Sequence, residues 1–95
     1  MSEDAEKQRE ELRAIAERQV AKYGEGIRKA KENFRFFEEN HLFPPATIRR
    51  MRYDLRVVER QRDWHRALLK ELPDKDPHDV AFLLSILREV YGGQS

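Results

Sequence analysis

The fold turns on Asn40-His41-Leu42-Phe43-Pro44-Pro45, six residues that no helix can cross. Each proline ring removes a backbone donor and pushes the preceding residue toward extended geometry. On both sides Glu, Lys, Arg, Leu and Ala dominate, residues that enter a helix at little entropic cost. A second interruption, Leu72-Pro73-Asp74-Lys75-Asp76-Pro77, places Asp76 as an N-cap and Pro77 at the first helical position, where a missing N–H is harmless. Gly92-Gly93 closes the last segment. These marks predict an all-α fold: a small bundle of three helices over about residues 3–41, 46–71 and 78–91, in one domain covering 1–95. The first helix is long, the second folds back antiparallel, and the third is short.

Gly24-Glu25-Gly26 leaves an alternative, because two helical glycines cost about 1 kcal/mol each relative to alanine. A break there would give four helices. However, Leu12, Ile15, Ala16, Val20, Tyr23, Ile27, Ala30, Phe34 and Phe37 form one stripe through that place in steps of mostly three and four. That continuity favours an unbroken first helix, which would then outrun the other two and leave its N-terminal third without a neighbour in the chain.

Composition narrows the function. With 95 residues, 39% apolar and 39% charged, the chain has material for one core and one domain. Nineteen Lys plus Arg against eighteen Asp plus Glu give a formal charge of +1, which argues against a polyelectrolyte tail or a uniformly basic packaging protein. The absence of cysteine excludes disulfides, thiolate metal sites and a cysteine nucleophile, and it suits a reducing, cytoplasmic setting. The longest apolar run, Val80 to Leu84, is too short to cross a bilayer, and Met1-Ser2-Glu3-Asp4 lacks the features of a signal peptide. No membrane is expected as a partner. The acid-rich start at Glu3, Asp4 and Glu6 follows the rules by which stable helices are engineered, whereas the irregular Pro44-Pro45 loop resembles a natural scaffold.

The third helix carries the strongest functional signal. Its polar strip is only Ser85, Arg88 and Glu89, so its apolar face is far wider than the roughly 100° that packing in a three-helix bundle requires. Something must cover the remainder. The leading expectation is a non-enzymatic interaction or self-assembly module that binds a second copy or another helical protein, with Leu12, Ile15, Phe82, Ile86 and Val90 at the interface.

The second helix holds eight bases against four acids between residues 46 and 72, and Arg49, Arg52, Arg56 and Arg60 share one face. This row suits nucleic acid or an acidic partner, with Tyr53 and Trp64 available for stacking. The competing expectation is a solvated face paired with Glu6, Glu10, Glu17 and Glu25 of the first helix, in this chain or a neighbouring one. In the same helix Arg62 and His65 interrupt the apolar stripe, a pattern that predicts a buried polar layer.

Chemistry has few candidates. His65 and His78 flank one loop with Asp76 and Asp79, a loose arrangement for a metal, and Glu38 with His41 makes a single Glu-x-x-His step where di-iron bundles use two. No catalytic residue, metal or cofactor is expected from spacing. A ligand or catalytic site at Trp64, with His65 as base, is the third-ranked reading. Finally, Ala16, Val20, Tyr23, Gly24, Glu25 and Ile27 are similar to the short helix by which death-promoting proteins enter a groove on their apoptosis-regulating relatives. Val20 stands where that motif prefers Leu, Glu25 where it prefers Asp, and Gly26 is foreign to it, so no function is carried over.

Overall fold

A computed structural model describes residues 3–92 and contains three α-helices in the expected order: α1 (Glu3–Glu39), α2 (Pro45–Glu71) and α3 (Pro77–Tyr91), with a 3₁₀ turn at Leu72–Asp74. No strand occurs among the described residues. The first helix passes through Gly24 and Gly26 without a break, so the four-helix alternative is excluded.

Local chemistry explains each boundary. At the end of α1 the Leu42 N–H donates to the Phe37 carbonyl at 3.2 Å and the His41 N–H to the Glu38 carbonyl at 3.4 Å, with His41 at φ 51°. This is the paired-bond helix stop that usually places glycine in the left-handed position; here histidine occupies it. Pro44 precedes α2 in extended geometry, with Pro45 in the first turn. As expected, the Asp76 carboxylate caps α3, accepting from the backbone N–H groups of His78 at 2.7 Å and Asp79 at 3.3 Å. Gly92 follows α3; Gly93 lies outside the described residues.

The hairpin of α1 and α2 is the frame, and α3 lies along the N-terminal half of α1, packing more closely on α1 than on α2. The core sits at that end: Leu12 and Ala16 meet Leu68, Leu72, Val80, Leu84 and Leu87. Arg9 fastens the arrangement by donating to the carbonyl of Lys75 at 2.8 Å and to that of Leu72, while Arg88 pairs with Glu11. The start of α1 therefore does have an intrachain neighbour, which corrects the expectation that it would lie uncovered. At the opposite end only two helices remain, held by Ile27, Ile48 and an edge-to-face contact of Phe37 with Phe43 at 4.9 Å. The result is a rod with extents of 58 × 26 × 17 Å.

Candidate interaction surface

The side of α3 turned toward α1 is filled by Val80, Leu84 and Leu87, all buried. Four-residue steps put Phe82, Ile86 and Val90 on another face, and these remain 63%, 39% and 62% exposed. No charged side chain interrupts that row at its own spacing. Beside it, a groove of about 400 Å³ separates α3 from α2, with Leu87, Val90 and Tyr91 on one wall and Arg60, Gln61, Trp64 and His65 on the other. Trp64 is 47% exposed and stands edge-on to the His65 ring at 4.9 Å.

Two of the five residues expected at an interface do not belong to this surface. Leu12 is fully buried inside the chain, because α3 lies over the stretch of α1 that sequence reasoning left bare. Ile15 is half-buried and packs against the same core, at the edge of a separate cleft between α1 and α3. Phe82, Ile86 and Val90 keep their accessibility.

Below the groove runs a polar layer. His65 is 1% exposed. Its Nδ1 lies 2.6 Å from the Gln61 carbonyl, which can only accept, so Nδ1 carries the hydrogen. Nε2 is then the acceptor for the Tyr91 hydroxyl at 3.1 Å, and the Tyr91 oxygen in turn accepts from the Tyr23 hydroxyl at 2.9 Å. Burial, reinforced by the hydrogen bond with Tyr23, pushes the Tyr91 phenol well above its ordinary range. Both nitrogens of His65 are thus engaged, and no basic lone pair faces the groove. The expected polar layer exists at His65, but Arg62 turns to Asp63 at 3.1 Å instead of joining it. The tyrosines that complete it were missed: Tyr91 lies 26 positions from His65, and only the fold brings them together.

The arginine face divides. Arg52 pairs with Glu38, the one acid of α1 that α2 engages, whereas Arg49, Arg56 and Arg60 are exposed and have no carboxylate partner among the described residues. Within the chain the expected pairing with α1 acids is not made: Glu10 is taken by Arg13, and Glu25 by Arg28 and Lys29, all within α1. Short i,i+3 and i,i+4 partners reach these acids before a second helix can. His78 is exposed in the first turn of α3, far from the engaged His65 in environment, and no group of three His, Asp or Glu residues among the described ones is arranged to hold a metal. Glu38 is spent on Arg52, and His41 on its turn. Among the described residues no helix is long and apolar enough to cross a membrane. No protein-family model, curated protein or solved structure matches the chain.

Proposed function

We propose that the chain is a non-enzymatic helical assembly module that pairs with a second copy of itself through the outer face of α3. The observation that carries this reading is the row Phe82, Ile86 and Val90, three large apolar side chains held in water on the helix that also supplies Val80, Leu84 and Leu87 to the core. Eight residues of helix separate the ends of the row, about 12 Å, and Trp64 extends the apolar area across the groove. A surface of this kind, repeated on a two-fold partner, buries its own equivalent without needing charge complementarity. The lack of cysteine fits action in a reducing cytoplasm, and the acid-rich opening turn fits an engineered as well as a natural bundle.

Absolute mass by light scattering across a concentration series provides the test. The expected result is a dimer or higher assembly that persists at high salt, since the contact is apolar. Phe82→Asp should yield a monomer with unchanged helix content by circular dichroism. A wild-type monomer at every concentration, or a Phe82→Asp assembly of unchanged mass, rejects the reading.

A further inference from the structure

The outward face of α2 has a chemistry different from that of α3. Arg49, Tyr53, Arg56, Arg60 and Trp64 follow one another in steps of four, three, four and four, so all five fall on one side of the helix. All are exposed, Tyr53 most of all among the aromatics of this helix at 62%. The three arginines have no carboxylate partner among the described residues: Glu59, beside Arg60 in sequence, forms no ion pair with them, while Asp54 is engaged by Arg50 and Asp63 by Arg62 and Arg66. Arg52, which charge spacing alone would add, is drawn off to Glu38. What remains is a track of three cations and two flat rings about 22 Å long.

We infer that this track binds single-stranded nucleic acid. Free guanidinium groups supply the attraction to phosphates, and the two rings supply stacking faces for bases, which a duplex keeps covered but a single strand presents. An acidic protein segment would be drawn by the arginines alone, and the presence of two exposed rings in the same row favours the ligand that uses both. The inference does not require self-association: the track shares Trp64 and Arg60 with the groove beside α3, but Arg49, Tyr53 and Arg56 lie away from Phe82 in chain and surface.

The test is fluorescence anisotropy of the full chain with a labelled oligothymidylate of about 15 nucleotides, beside a duplex of equal length and a polyglutamate peptide. Binding at about 50 mM salt should favour the single strand and fall with a log–log salt slope of about −2, the value for three released counterions on a single strand. The chain's one tryptophan, Trp64, should lose fluorescence as a base stacks on it. Tyr53→Ala should weaken binding roughly 5- to 150-fold, and Tyr53→Leu, which keeps bulk but no flat ring, should do nearly the same. Arg56→Gln with Arg60→Gln should reduce the slope by about 1.4, while Phe82→Asp leaves binding unchanged. Variants are compared at equal helix content. No binding to the oligothymidylate at low salt overturns the inference. So does binding without Trp64 quenching and indifferent to both Tyr53 variants, equal affinity for the duplex, or equal affinity for polyglutamate, which would make an acidic protein the occupant.

Discussion

The Tyr91 hydroxyl is the middle member of a three-residue chain, and its two neighbours depend on it unequally. Removing it in Tyr91→Phe leaves the Nε2 acceptor of a buried histidine without a donor, at an expected cost of about 1–3 kcal/mol. Tyr23→Phe removes only the outer donor, and Tyr91 still serves His65, so the loss should be about 1 kcal/mol. Urea unfolding of the two variants checks the order; equal losses would refute the direction assigned to the chain. The raised phenol of Tyr91 also has a consequence for alkali. In the unfolded chain this phenol ionises near its ordinary pKa of about 10, before the folded one does. The stability it confers is therefore fully present below about pH 10 and is lost as pH rises toward the folded value. Stability measured through that window should fall less steeply in Tyr91→Phe than in the wild type. At this scale the sequence was informative about His65, whose position on an apolar stripe demanded a buried partner. It was silent about Tyr23 and Tyr91, because a phenol at a helix end looks the same whether it meets water or histidine.

At the level of elements, periodicity and punctuation recovered each helix to within one or two residues. Proline and aspartate act over three or four positions, a range that sequence reveals directly. Two places run against local preference. Gly24 and Gly26 sit in the middle of α1, and a Cβ added at either meets nothing within 4 Å. No close approach within the described chain calls for glycine there. Gly24→Ala with Gly26→Ala should accordingly stabilise the fold by about 2 kcal/mol in total and raise Tm by roughly 8–16 °C, read by thermal unfolding. His41 carries the opposite strain, a side chain at φ 51° where glycine is at ease. His41→Gly should raise stability by up to about 1 kcal/mol, and a loss would mean that its imidazole has a contact worth more than the strain. The arginine face of α2 was visible as spacing, but which arginines stay free depended on Glu38 lying opposite Arg52, a relation between helices that spacing does not contain.

For the whole molecule, the unequal lengths of the helices decide most of the behaviour. The three-helix end contains nearly all of the buried apolar residues, and the two-helix end contains Ile27 and Ile48. Hydrogen exchange should therefore be slowest in the helical residues of 9–20 and 65–88 and faster in those of 30–55. Uniform protection would show that something else covers the distal hairpin. Helix lengths alone foretold the mismatch, but they did not say at which end α3 would lie. Its short connection, residues 72–76, settles that, since five residues cannot carry α3 away from the start of α1. The elongated shape has a hydrodynamic consequence as well. The radius of gyration is 17.3 Å, whereas a compact chain of this length would measure roughly 12 Å and a compact chain of twice the length roughly 16 Å. A single rod of this protein tumbles and migrates with more friction than a globular particle of its own mass, so its elution position on a sizing column would overstate that mass and shift toward the dimer even when only one copy is present.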